Sequence, residues 1–197
     1  TLLEQTYDEG EAYGIHQRWY FNGQLAESIT YESWNLGEIL QESQWDKEGR
    51  MHYSLVKTGD LEQSQHFNTD GLLTQTTTTI ESPQYSREIT SHYYLSGQIE
   101  FISLLDTRTD VGSVTYFYPL GHIAADCFSY LDTSYVTDED TDETVQVIQY
   151  VENCDYFSPK GDSIDEEEYD FILGKMNAII EEKMDVKKEG KKRKKKK

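Results

Sequence analysis

The sequence predicts a mainly β protein: an elongated antiparallel meander of repeated β-hairpins, followed by one C-terminal amphipathic α-helix and a disordered Lys-rich tail. Three observations lead to this prediction: a glycine-centred pattern that recurs along the chain, turn signals between the recurrences, and one helical stripe of apolar residues near the C-terminus. Recurrence at a period of roughly 20–50 residues is typical of repeat architectures.

The recurring pattern, called here the repeat frame, has an aromatic residue four positions before a reference glycine and an aliphatic residue two positions after it. Positions an even number apart share a face in extended chain, so the pair is expected to meet across a hairpin and form the repeat core. A polar residue precedes several of the glycines, and such steps suit turns in which glycine takes a positive φ. The complete frames are Trp19/Gly23/Leu25, Trp45/Gly49/Met51, Phe67/Gly71/Leu73, Tyr93/Gly97/Ile99 and Phe117/Gly121/Ile123, and a degenerate copy has Phe157 and Gly161 with Ser163 in the aliphatic position.

Further turn signals lie about halfway between the frames. They are Asn35-Leu36-Gly37, Lys57-Thr58-Gly59, Ser82-Pro83-Gln84 and Thr109-Asp110-Val111-Gly112. Turns spaced about every dozen residues predict an all-β meander in which each strand pairs with the next.

Three segments carry a family resemblance: residues 14–25, 92–99 and 116–123. Each has an aromatic pair shortly before the reference glycine, and together they resemble the bacterial MORN-repeat variant, over about residues 10 to 165. The resemblance implies an elongated antiparallel sheet of stacked hairpins. The best-known members of that family are antitoxin or immunity partners of secreted bacterial toxins, and many others are uncharacterised or envelope proteins. No catalytic residue comes with the family.

The chain divides by pattern into a β-hairpin repeat domain (1–163), a C-terminal helix (164–186) and a disordered basic tail (187–197). Ser163 and Glu166 have the spacing of a capping box, which predicts the helix start. Helical spacing then gives one apolar stripe: Tyr169, Ile172, Met176, Ile179, Ile180 and Met184. The helix is expected to pack on or cap the sheet, with partner binding as the alternative.

Charge is distributed unevenly along the chain. The formal net charge is −19, but residues 183–197 hold ten Lys and Arg against two acidic residues, so residues 1–182 carry eight basic and 35 acidic groups, a net −27. Such a body repels nucleic acid and anionic lipid and attracts a basic protein partner; simple solubility is the alternative explanation. The basic tail is expected to contact polyanions weakly at most, without a specific nucleic acid.

The position three before the glycine supplies the candidate partner-binding residues. It holds Tyr20, Tyr94 and Tyr118 and points to the face opposite the frame aromatics. If that face is exposed, these tyrosines form a contact stripe, since tyrosine is enriched at interfaces. The alternative is that both faces are partly packed by sheet twist and by the helix.

The residues predict no enzyme and no cofactor. The chain has no HExxH or clustered Cys/His zinc pattern, no GxSxG elbow and no phosphate-binding glycine loop. Cys127 and Cys154 are expected to be buried free thiols, with pairing across the long hairpin as the alternative. Asp138, Asp140 and Asp142 alternate like the start of a calcium loop, but Gln149 stands where a bidentate Glu belongs, which favours a solvated acidic loop.

These features predict a non-enzymatic protein–protein interaction module, most concretely an acidic immunity or antitoxin protein. A structural subunit or surface lipoprotein of a bacterial cell envelope is the alternative. Nothing approaches the length of a transmembrane segment. The compartment stays open: bacterial cytoplasm for an antitoxin, or periplasm or cell surface if a signal sequence precedes Thr1.

Overall fold

A computed structural model describes residues 2–8, 10–33, 37–137 and 144–176 of the chain. In this described part of the chain the fold is mainly β, as predicted, and one helix, α1, occupies residues 166–176. The strands are β1 (Leu2–Glu4), β2 (Tyr7–Asp8), β3 (Glu11–Ala12), β4 (Gly14–Trp19), β5 (Leu25–Tyr31), β6 (Ile39–Trp45), β7 (Met51–Thr58), β8 (Leu61–Phe67), β9 (Leu73–Glu81), β10 (Ser86–Tyr93), β11 (Ile99–Asp106), β12 (Val111–Phe117), β13 (Ile123–Thr137), β14 (Thr144–Phe157) and β15 (Ser163–Ile164).

One antiparallel sheet of 13 strands contains β1 and β4 to β15, and β2 and β3 form a separate small hairpin. From β4 onward every strand pairs with the next one along the chain, which confirms the predicted meander. At the N-terminal end, β1 pairs with β4, because the β2–β3 hairpin is inserted between them.

The repeat frames set the register of the hairpins. In all five complete frames the aromatic residue lies directly opposite the aliphatic residue, as predicted, and the degenerate frame places Phe157 opposite Ser163. These repeat-core pairs are half-buried, except that Ile123 is 45% exposed. The sheet is a single layer, so these side chains are shielded mainly by their cross-strand neighbours.

A β-bulge accompanies each complete frame, at the same place. The register shifts by one residue just before the frame aromatic, which leaves the residue three after the glycine without a partner. The unpaired residues are Ala26, His52, Thr74, Glu100 and Ala124. A bulge increases the local right-handed twist of a hairpin, so the repetition twists the meander at regular intervals.

The turns of all six frames have one geometry. The glycine N–H donates to the carbonyl three residues earlier, and the N–H of that earlier residue donates to the carbonyl just after the glycine, at N···O distances of 2.7–3.1 Å. The reference glycines have φ between +79° and +89°. This is the three-residue hairpin loop that ends in a left-handed residue, where glycine carries no steric cost. Because the frames alternate with other turns, all six lie along one edge of the sheet, called here the glycine edge.

Helix α1 begins differently from the prediction. Ser163 belongs to β15 opposite Phe157, so the predicted capping box that starts at Ser163 is wrong. The cap is Asp165, whose Oδ1 accepts the backbone N–H of Glu168 at 2.8 Å. The predicted apolar stripe is confirmed as far as it is described, because Tyr169, Ile172 and Met176 are half-buried. Its remaining members, Ile179, Ile180 and Met184, lie outside the described residues.

Candidate interaction surfaces

The three predicted contact tyrosines connect neighbouring turns of the glycine edge. Each hydroxyl donates to the carbonyl of the next frame's aromatic residue: Tyr20 to Trp45 at 2.9 Å, Tyr94 to Phe117 at 2.7 Å and Tyr118 to Phe157 at 2.8 Å. For Tyr118 the predicted exposed stripe is wrong, since its side chain is 0% exposed. Tyr20 and Tyr94 are half-buried, and partner binding by these two stays a prediction.

The other three frames have a small polar residue in the same position, and it caps its own turn instead. Asp46 Oδ1 accepts the N–H groups of Glu48 and Arg50, at 2.9 Å each. Asn68 Oδ1 does the same for Asp70 and Leu72, and Ser158 Oγ for Lys160 and Asp162. Position three before the glycine therefore has two structural uses, which sequence reasoning did not separate.

Large apolar side chains project from the turns of the glycine edge. Phe21 is 97% exposed, Leu120 73% and Leu95 53%, and Leu72 is also exposed. Phe21 and Leu95 occupy the same position of their frames, two residues before the glycine. Exposed apolar groups that share one edge mark a candidate contact surface.

Both accessory elements lie on one face of the sheet, called here the covered face. At the N-terminal end, the β2–β3 hairpin places the Tyr7 ring 5.3 Å from the buried His16 ring, and His16 Nε2 lies 2.7 Å from the Thr6 carbonyl oxygen. At the C-terminal end, α1 places the Tyr169 ring 4.8 Å from that of Tyr156. Burial raises the pKa of Tyr94 to about 12, with smaller contributions from the nearby Glu100, Tyr169 and Tyr118.

The opposite face, called here the open face, carries three rows of nine residues across β4–β12, and none of the 27 is charged. The row nearest the glycine edge alternates aromatic and aliphatic frame residues: Trp19, Leu25, Trp45, Met51, Phe67, Leu73, Tyr93, Ile99 and Phe117. The second is mostly hydroxyl and amide side chains: Gln17, Ser28, Ser43, Ser54, Gln65, Thr76, Ser91, Ile102 and Thr115. The third is Ile15, Thr30, Gln41, Val56, Gln63, Thr78, Ile89, Leu104 and Ser113.

Cys127 and Cys154 form a disulfide, so the expectation of two free thiols is wrong. The physical reason is the register: the two residues lie directly opposite each other on β13 and β14, with their Cα atoms 4.0 Å apart. Among the described residues, the one grouping with the spacing of metal ligands is Cys127, Glu152 and Cys154. Its two sulfur atoms are bonded to each other and are not available as thiolates.

On the open face beside the disulfide, β12–β14 enclose a shallow hollow of about 470 Å³. Asp126, Asn153 and Asp155 are exposed on its wall, and the Phe128 ring is 51% exposed. Thr115 Oγ1 donates to Asp126 Oδ1 at 2.8 Å, which fixes the orientation of that carboxylate.

Two predictions fall outside the described residues: the acidic loop 138–143 and the basic tail 187–197. No helix in the described part of the chain is long and apolar enough to cross a membrane.

No protein-family model matches this chain, and no curated protein matches it either. The resemblance to the bacterial MORN-repeat variant therefore stays a prediction.

Proposed function

We propose that this protein is a non-enzymatic interaction module that binds another protein along its glycine edge. The observation that carries this proposal is the exposure of Phe21, Leu95 and Leu120 at the tips of hairpins along one edge. Apolar side chains of this size in turns do not help to stabilise the fold, whereas they suit the apolar centre of an interface.

The negative charge of residues 1–182 favours binding to a basic protein. Residues 1–182 carry a net −27, which speeds encounter with a positively charged protein and repels nucleic acid. An immunity or antitoxin role fits this chemistry, because a toxin that attacks nucleic acid presents a basic surface.

The test is co-purification of the full chain with the product of the neighbouring gene. We expect a basic protein to be retained, with retention weakened by salt. The variant Phe21→Ser/Leu95→Ser/Leu120→Ser should release it, while the matched control Val56→Ser/Leu104→Ser, exposed on the open face, should not. No retention by the wild-type chain, or equal loss in both variants, contradicts the proposal.

A structural or surface protein of the cell envelope is the second candidate, and the disulfide favours it. Disulfides persist in oxidising compartments and are rare in the cytosol. The measurement is thiol alkylation of acid-quenched cells that express the native gene, followed by a gel mobility shift. Two protected cysteines, released only by dithiothreitol, support the envelope, and two freely alkylated cysteines support the cytoplasmic antitoxin.

A further inference from the structure

We infer that the open face binds a neutral polysaccharide, laid across the strands, with one sugar unit held in the hollow at β12–β14. The inference depends on the composition, uncovered state and geometry of this face, and does not rest on the proposed protein partner.

The first argument is charge. The body carries −27, yet three full rows of the open face across β4–β12 contain no charged side chain. Acidic residues dominate the rest of the surface, so an uncharged area this large selects an uncharged ligand. Polyanions, including nucleic acid and acidic polysaccharides, are repelled by the surrounding body.

The second argument is the order of the chemical groups. Frame aromatics such as Trp45 and Phe67 recur on every second strand, about 9.6 Å apart, which is close to two sugar units of an extended β-linked chain. Aromatic faces stack on the C–H faces of pyranose rings. The next row offers hydroxyl and amide groups, which both donate to and accept from sugar hydroxyls.

The third argument is that the open face is uncovered. The β2–β3 hairpin and α1 both pack on the covered face, at its two ends. Strands β5 to β12 are paired on both sides, so a peptide cannot add to the sheet between them as an extra strand. Nine strands give a platform roughly 40 Å long.

The hollow supplies the anchoring position. Phe128 offers a half-exposed ring for stacking, and Asp126 and Asp155 offer carboxylate oxygens that accept hydrogen bonds from neighbouring sugar hydroxyls. The Cys127–Cys154 disulfide holds β13 and β14 in register beneath it.

The test is affinity gel electrophoresis of the full chain in gels that contain a soluble neutral polysaccharide. Hydroxyethylcellulose, xyloglucan and laminarin are the neutral probes, and carboxymethylcellulose is the anionic counterpart of the first. We expect retardation by at least one neutral probe that is insensitive to salt, and none by carboxymethylcellulose.

Matched variants locate the site. Phe128→Ala should weaken binding about tenfold, whereas Leu131→Ala, exposed on the covered face of the same strand, should leave it unchanged. Ser43→Asp places a charge in the second row and should also weaken binding, with circular dichroism showing that the variant is folded. The inference is overturned if no neutral probe retards the wild-type chain, if carboxymethylcellulose retards it equally, or if Leu131→Ala loses as much binding as Phe128→Ala. Co-purification of the protein partner by Phe128→Ala reports separately on the proposed function.

Discussion

A tyrosine three residues before the reference glycine connects one hairpin to the next. Tyr118 is the most buried example, at 0% exposure, and its hydroxyl bonds a carbonyl that lies 39 residues further along the chain. A pairing this distant in sequence gives no local signal, so sequence reasoning could place the residue in its frame but not find its bond.

Replacing Tyr118 by Phe should lower the free energy of unfolding by about 1–2 kcal/mol, because the Phe157 carbonyl loses its hydroxyl donor in a buried site. Urea denaturation measures the change. Tyr85→Phe is the control, since Tyr85 is exposed, and it should be neutral. Equal stability of the Tyr118→Phe variant and wild type would show that the bond contributes nothing.

Asp106 gives a pH dependence at the turn between β11 and β12. Its Oδ1 accepts the backbone N–H groups of Arg108 at 3.0 Å and Thr109 at 3.2 Å, and these bonds hold the pKa of the Asp106 carboxyl below its usual value. A lowered pKa in the folded state stabilises the fold above the unfolded pKa, about 4, and this contribution is lost as the pH falls through the folded pKa.

The Asp106→Asn variant should therefore be less stable than wild type at pH 7, with the difference shrinking as the pH falls below about 4. Urea midpoints from pH 2 to 7 measure it. Asp60→Asn removes one negative charge from the β7–β8 turn, on the same edge of the sheet, and controls for relief of self-repulsion. A difference that stays constant with pH would contradict the assignment to Asp106.

At the scale of the element, the hairpin register was predictable from the sequence because it is a local, periodic signal. The frame even places the degenerate pair, Phe157 and Ser163, opposite each other. The bulges could not be predicted, because residues as different as Ala26 and Glu100 occupy the same unpaired position. The sequence favoured free thiols over the disulfide because pairing depends on the register of β13 and β14, and no frame lies between the two cysteines.

The helix start shows one local rule overriding another. Ser163 satisfies a capping pattern in sequence, but the sixth frame pairs it with Phe157, and the cap moves to Asp165.

Asp165→Ala should cost about 1 kcal/mol of helix stability, and Ser163→Ala, the control, much less. Thermal unfolding followed by helical circular dichroism compares the two variants. A larger loss of stability for Ser163→Ala than for Asp165→Ala would contradict the assignment of Asp165 as the cap and favour the capping box at Ser163.

At the scale of the whole molecule, stability should vary along the sheet because each strand packs mainly on its neighbours. Such quasi-linear arrays behave as a sum of repeat and interface terms. None of the residues of β6–β9 is buried, whereas Ala124, Ala125, Cys127 and Ser129 of β13 all are. The β12–β13 region also has α1 on its covered face, and the disulfide joins β13 to the next strand, β14.

Amide hydrogen exchange should consequently be fastest within β6–β9 and slowest in β12–β13, in place of one uniform opening.

The disulfide closes a loop between residues 27 apart, which is worth about 3–4 kcal/mol in the chain-entropy model. The Cys127→Ala/Cys154→Ala variant should therefore lose protection in β12–β13 while β6–β9 stays unchanged, since β10 and β11 separate the two regions. Exchange measured by mass spectrometry on both proteins decides the matter. If protection falls equally everywhere in the variant, the sheet unfolds as one cooperative unit, and its ends stabilise its middle more strongly than neighbour packing allows.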